Sequence, residues 1–157
     1  MSWVTLSALA AKSGTQEMSD SSPLLLDTHV WIRYINGTPG LKPAAIHAIE
    51  GARRTGKAYV SVISIWEIAL LVRKERLVLP IGVERWVQRA FELPGIQLLT
   101  MTPQIAIESV QLPDSLNNDP SDRILVATAR IQGLTLMTRD KDILRFAKQT
   151  NLTTQLA

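Results

Sequence analysis

Four acidic residues, Asp27, Glu67, Asp122 and Asp140, stand where apolar stretches end or helices begin, far apart in the chain. Asp27 closes Leu24-Leu25-Leu26, and Asp140 follows Leu134-Thr135-Leu136-Met137-Thr138-Arg139, so two acids mark the ends of two expected strands. Glu67 and Asp122 fall in the expected first turns of two helices. In open parallel sheets ligands bind outside the carboxyl ends of the strands, and all four acids would line one such crevice. If three of them share a pocket, each pair of charges at about 4 Å repels by about 4 kcal/mol at an effective dielectric of 20. A divalent cation is then needed to keep them ionised. The chemistry this suggests is metal-dependent hydrolysis of phosphodiesters.

The elements that must position these acids can be read from Leu24 onward. A strand over 24–27 leads into a helix over 28–35, and Gly37 and Gly40 bound a loop. Pro43 at a first helical position starts a helix that reaches Arg54 and stops near Gly56. A strand over 58–62 precedes a helix from Ser64 to Arg73. Val83, Trp86, Val87, Ala90 and Phe91 recur at helical spacing, so Trp86 is expected in the core. A strand over 96–100, a helix capped by Thr102-Pro103, a helix over 121–132 ended by Gly133, and a strand over 134–138 follow. A short helix and a final edge strand near Leu152 complete the series. Alternating strands and helices with short links imply a mainly parallel sheet covered on both faces.

Each acid also has a purely structural reading. Asp27 suits a helix N-cap, and one carboxylate serves as cap and ligand through different oxygens. Ser64-Ile65-Trp66-Glu67 has the form of a capping box, in which Glu67 reaches back to a backbone N–H. In Asn117-Asn118-Asp119-Pro120-Ser121-Asp122-Arg123, Asp119 is the N-cap and Asp122 three residues on matches a box in form. Asp122 nevertheless points toward the sheet's carboxyl edge, where the helix dipole tolerates its charge. Arg123 is expected to form an ion pair, with phosphate contact as the other reading. Asp140 suits the cap of the last helix, and Asp142 competes with it for the fourth acidic position.

Composition bounds the partners. At 157 residues the chain suits one domain large enough to fold without a structural metal, so a bound metal would serve chemistry. There is no cysteine and only two histidines, His29 and His47, which excludes disulfides and thiolate sites and leaves oxygen ligands of the kind Mg²⁺ and Mn²⁺ prefer. A net charge of +3 favours phosphate-bearing partners, with clusters at Arg53-Arg54-Lys57, Arg73-Lys74-Arg76, Arg85/Arg89 and Arg139-Lys141-Arg145-Lys148. No stretch is apolar enough to span a membrane, and the expected location is the cytoplasm. Residues 1–22 differ from the rest and are expected to be an extension outside the core, with 23–157 forming the domain. Val4 to Ala11 is faintly signal-like but lacks a preceding positive residue.

Leu-Leu-Asp-Thr-His at 25–29, Ser-Ile-Trp-Glu-Ile at 64–68, Asp-Pro-Ser-Asp-Arg-Ile-Leu-Val-Ala-Thr-Ala at 119–129 and Leu-Met-Thr-Arg-Asp at 136–140 together resemble the motifs of PIN-domain nucleases, in particular VapC-type toxins. The resemblance implies a PIN-like three-layer α/β/α fold with a mainly parallel central sheet of four to five strands. It further implies a Mg²⁺- or Mn²⁺-dependent endoribonuclease of a toxin–antitoxin pair, a homodimer, and an antitoxin that blocks the acidic groove. Asp27 and Asp122 would bind the metal directly, while Glu67 and Asp140 orient it and its water, with Thr138 close by. Two readings from other classes stand beside this one. A catalytically silent RNA- or protein-binding module would use the acids as caps, and a small-molecule phosphatase is disfavoured by His29, which stands where that class places a second Asp.

Overall fold

A computed structural model describes residues 22–157; the expected extension over 1–22 therefore lies, but for Ser22, outside the described residues. The chain alternates from β1 (Leu24–Leu26) through α1 (Thr28–Asn36), α2 (Pro43–Arg54), β2 (Ala58–Ser61), α3 (Val62–Arg73), α4 (Val83–Glu92) and β3 (Ile96–Leu99). It continues through α5 (Pro103–Gln111), α6 (Pro120–Gln132), β4 (Thr135–Thr138) and α7 (Lys141–Ala147) to β5 (Thr154–Leu156). All strand pairs are parallel, and the five strands lie in the order β3-β2-β1-β4-β5. The expected α/β class and parallel sheet are thus what the chain forms.

Strand pleating sorts the core into two layers. Side chains alternate along a strand, so Leu24 and Leu26 face one apolar cluster with Val60, Ile68, Trp31 and Trp86, while Leu25 faces the other with Leu125, Leu136, Ile143 and Phe146. All three leucines are buried. A strand buried on both faces reads as a continuous apolar run, which is why the leucine triplet signalled β1. In the first layer Trp31 meets Trp86 edge-on with centroids 5.0 Å apart, and the indole N–H of Trp86 donates to Asn36 Oδ1 at 2.7 Å. Burying each indole contributes on the order of 5 kcal/mol, so the expected core role of Trp86 holds.

A tie between helices and sheet edge runs through Arg53, which donates to Tyr34 Oη and Glu50 Oε2 and, from Nε, to Pro94 O at 2.9 Å. Gly95 follows with φ +88°, and a Cβ there would lie 2.1 Å from Arg53 O. Only glycine permits both that backbone conformation and that approach.

Several boundaries shift from the expectations, three of them for a physical reason. α3 begins at Val62 with Ser61 as N-cap, its hydroxyl accepting from Ile63 N at 3.2 Å, so Ser64 does not start it. The β-branched pair Val62-Ile63 suggests strand by propensity, but the cap and the packing of Ile63 turn it into helix. The last strand lies at Thr154–Leu156 rather than at Leu152, whose side chain is buried in the second apolar layer. Asp27 terminates β1 as the N-cap of α1.

The order of strands determines where a site can form. From β1 the chain adds β2 and then β3 on one side, and returns past β1 to add β4 and β5 on the other. The crevice at such a reversal opens at the carboxyl ends of β1 and β4.

Candidate active site

Asp27 and Thr138 come side by side because Leu26 pairs with Met137 across the β1–β4 ladder, and Asp27 N donates to Met137 O at 3.0 Å. Asp27 is buried and its two oxygens have separate work. Oδ1 caps α1 by accepting from Thr28 N at 2.7 Å, and Oδ2 accepts from the buried Thr138 hydroxyl at 2.6 Å. Thr138 Oγ1 in turn accepts from Asp140 N at 2.9 Å. One hydroxyl therefore links the acids that follow the two central strands.

Asp140 caps α7, its Oδ1 accepting from Asp142 N at 2.8 Å and Ile143 N at 3.0 Å, which leaves Oδ2 for another partner. Asp142 pairs with Arg145 one turn along the same exposed helix face. Asp140 contributes to the electrostatics of both Asp27 and Asp122, so it, and not Asp142, belongs to the acidic group.

Asp122 lies in the first turn of α6 as expected, but half of the expected capping box is absent. Asp119 Oδ1 accepts from Asp122 N at 3.1 Å, whereas Asp119 N donates to Asn117 Oδ1 at 2.9 Å rather than to Asp122. The Asp122 carboxylate instead accepts from Asn117 Nδ2 at 2.9 Å. Glu67 likewise makes no capping box, since Ser61 rather than Ser64 is the cap and Glu67 sits in the second turn of α3. Thr28 Oγ1 lies 2.8 Å from both Glu67 Oε2 and Ser64 Oγ. A hydroxyl has one proton, so Thr28 donates to the carboxylate while Ser64 donates to Thr28.

The electrostatics report a crowded acidic crevice. Burial raises Asp27 above the usual carboxylate range, and nearby Asp140 adds to the rise, against lowering by His29 and by the bonds from Thr138 and Thr28. Burial also raises Glu67, opposed by Thr28 and Ser121 hydroxyls and reinforced by Asp27 and Asp119. Asp122 is pushed up to about 7, first by burial and then by Asp27, Asp119 and Asp140, against the Asn117 bond. Among the described residues no Lys or Arg pairs with any of the four acids. His29 stands nearby, its Nδ1 3.6 Å from Asp27 Oδ2 and its Nε2 accepting from Arg139 N at 3.3 Å.

Three carboxyl groups raised in one crevice without a paired cation are the donor set a divalent ion relieves. Among the described residues no three His, Asp or Glu side chains are gathered tightly enough to cage a metal. An ion bound here would meet carboxylate oxygens, of which Mg²⁺ takes one or two directly while keeping several waters.

Arg123 does neither of the things expected of it. Its guanidinium donates to the backbone carbonyls of Ser109, Leu112, Leu116 and Asn117. It therefore ties the end of α5 and the loop after it to α6, and thereby holds Asn117 against Asp122. Sequence reasoning missed Thr28 and Asn117 as partners of the acids, and Ser64 as the partner of Thr28. Their adjacency to Asp27, Glu67 and Asp119 was visible, but which side chain each would meet was not.

This parallel sheet with acids at the carboxyl ends of its central strands is that of a PIN domain: residues 24–149 match the family model for the PIN domain, and the chain belongs to that family. Over 118 residues it is 37% identical to Ribonuclease VapC22 of Mycobacterium tuberculosis, covering 75% of this chain and 87% of that protein. Among solved structures it resembles VapBC2 from Rickettsia felis bound to a promoter DNA fragment, with TM-score 0.61, 17% identity and coverage of 85% and 97%. A toxin–antitoxin complex from Klebsiella pneumoniae matches with TM-score 0.53, 23% identity and coverage of 76% and 89%. At those identities the structural likeness is one of fold.

Proposed function

We propose that this chain is a divalent-cation-dependent endoribonuclease, the toxin of a toxin–antitoxin pair. The observation that carries the reading is the linkage of Asp27 and Asp140 through Thr138, with Asp122 and Glu67 bearing on the same crevice. The likeness to a ribonuclease over three quarters of the chain supports RNA as the substrate.

In this reading Asp27 and Asp122 hold Mg²⁺, or Mn²⁺ in its place, directly, and Glu67 and Asp140 act from its periphery. The ion supplies Lewis-acid polarisation of a phosphoryl oxygen and a more acidic water. Thr138 keeps Asp27 oriented, Asn117 does the same for Asp122, and Thr28 for Glu67. The water that attacks phosphorus would give its proton to Glu67 or Asp140 as general base, and the P–O bond to the leaving nucleotide breaks as its oxygen takes a proton from solvent. Asp140 Oδ2 is free for that task, since Oδ1 is committed to the α7 cap.

A homodimer and a cognate antitoxin that covers the acidic crevice complete the proposal. The resemblance of the fold to subunits of toxin–antitoxin complexes supports the antitoxin. Exposed Ile107 and Val110 on α5 are apolar surface that a second copy would cover.

The test is incubation of purified protein with total RNA and Mg²⁺ or Mn²⁺, beside EDTA and an Asp122→Asn variant. Discrete fragments that vanish with EDTA and in the variant are expected. Intact RNA with both metals at high protein concentration would favour the silent binding module, and turnover of a small chromogenic phosphoester without RNA cleavage would favour the phosphatase.

A further inference from the structure

Beside the acidic crevice, between the loop that precedes α2 and the start of α7, lies an open cavity of about 550 Å³. Its walls carry Lys42, Arg139 and Lys141 over an apolar floor that includes Leu41, Leu144 and Leu156. Arg33 joins them at the rim. A Cβ on Gly40, whose φ is +115°, would lie 2.6 Å from Arg33 Nη1 and 3.0 Å from Arg139 Nη1, so the two guanidiniums face each other across that glycine. Pro39 O, accepting from Arg33 Nη1 at 2.6 Å, keeps the Arg33 side chain over the loop.

Four cations stand around this cavity with no Asp or Glu side chain in ion-pair distance among the described residues, and Ala157 at the end of the chain is the lining residue that brings a carboxylate near them. Three other arginines are ion-paired: Arg53 with Glu50, Arg130 with Glu108, Arg145 with Asp142. Like charges held together without a counter-charge repel, and a phosphate, accepted by paired guanidinium N–H groups and by ammonium charges, relieves that repulsion. The cavity is larger than a lone phosphate requires and lies within the range that takes a nucleotide-sized ligand. Leucine side chains give its sugar and base an apolar face.

We infer that this cavity binds an RNA phosphate and its nucleoside next to the phosphodiester that faces the acidic crevice. The placement follows from the chain, because Arg139 and Lys141 flank Asp140 with Cα atoms about 3.8 Å from its own. RNA meeting a crevice lined by carboxylates needs an anchor of the opposite sign, and these residues provide it one step along the strand. The inference rests on the ribonuclease reading, and its test separates the two.

The experiment uses a fluorescently labelled single-stranded RNA of about 20 nucleotides. Anisotropy titrations at several KCl concentrations compare protein carrying Asp122→Asn, which prevents cleavage, with the same protein carrying Lys42→Ala and Lys141→Ala in addition. Both lysines are exposed, so the fold tolerates their truncation, and circular dichroism checks it. Each lost phosphate contact lowers the salt slope by about 0.7, so the double truncation should flatten it by about 1.4 and weaken binding roughly tenfold or more at moderate salt. In protein with its acids intact the same truncations should raise KM for RNA far more than they lower kcat.

Metal-dependent cleavage with an unchanged salt slope and KM would overturn the cavity assignment and leave the nuclease standing. RNA binding that flattens as expected, without cleavage in either metal, would uphold the cavity as an RNA site and remove the nuclease. If the truncations spare RNA binding but abolish binding of poly-glutamate, the cavity takes an acidic protein segment and the inference fails.

Discussion

Replacing Thr138 by valine keeps the branched shape of the side chain and deletes one hydroxyl. That hydroxyl donates to Asp27 Oδ2 at 2.6 Å and accepts from Asp140 N at 2.9 Å, at a position sealed from solvent. A buried hydrogen bond to a charged group contributes about 1.5–3 kcal/mol, and an amide left without a partner costs about 1 kcal/mol more. The expected loss in metal-free protein is therefore about 3 kcal/mol at pH 8, or roughly 6–12 °C in melting temperature for a chain of this size. The loss should depend on pH with a definite sign. Burial holds the folded-state pKa of Asp27 above its ordinary value, so the stability tied to this group is full below about pH 3.9 and declines as pH rises through the folded pKa. The Thr138 hydroxyl is one of the influences that lower that pKa. Without it the pKa climbs and the decline extends to higher pH, so valine should be tolerated better at pH 4 than at pH 8. Urea denaturation in EDTA at both pH values measures this. A deficit equal at the two, or below about 1 kcal/mol at pH 8, would refute the coupling of Thr138 to an ionised Asp27.

Four further outcomes follow from the same geometry. Asp122, at about 7, contributes stability to the metal-free protein that is full below its ordinary value and lost as pH rises through about 7; Asp122→Asn should therefore flatten the melting-temperature profile between about pH 4 and 7, and parallel profiles would contradict it. Arg123→Ala orphans backbone carbonyls at the α5–α6 junction and should lower stability by about 2–4 kcal/mol and, by loosening Asn117 from Asp122, lower RNA cleavage with it; loss of cleavage with stability intact would return Arg123 to the substrate. Gly95→Ala must place a Cβ 2.1 Å from Arg53 O at positive φ and should destabilise by about 2 kcal/mol or more, read by thermal melting. Asp140→Asn retains the α7 cap and should abolish cleavage, whereas Asp142→Asn breaks only an exposed pair with Arg145 and should change stability by less than about 0.5 kcal/mol; the reverse ranking in a cleavage assay would exchange their roles.

What could be read from the residues alone was whatever depends on neighbours in sequence. The leucine triplet, the helical spacing of Val83 to Phe91, the Asp119-Pro120 start of α6 and the glycine stop at Gly133 each express a local rule of burial periodicity or capping, and each element appears where those rules put it. The ordered motifs around the four acids carried the family in the same way. Local rules also misled where packing outweighed them. Ser64-to-Glu67 has the form of a capping box, yet α3 starts at Val62 with Ser61 as its cap because burial of Ile63 extends the helix backward, and Ser64 is released to support Thr28.

The rest required the tertiary structure, because it joins residues far apart in sequence. Thr138 and Asp27 are 111 positions apart, Thr28 and Glu67 39 apart, and no periodicity or capping rule reaches that far. Their meeting depends on β4 returning to the open side of β1, a choice made by packing two apolar layers around one sheet. The same folding decides which charges are matched. Arg123 turns inward to carbonyls, Arg53 to Tyr34 and Glu50, while Arg33 and Arg139 are left facing each other across Gly40. Sequence supplied the acids and bases and the elements that carry them; the strand order determined which would share a crevice, since electrostatic and hydrogen-bond partners are set by distance in space.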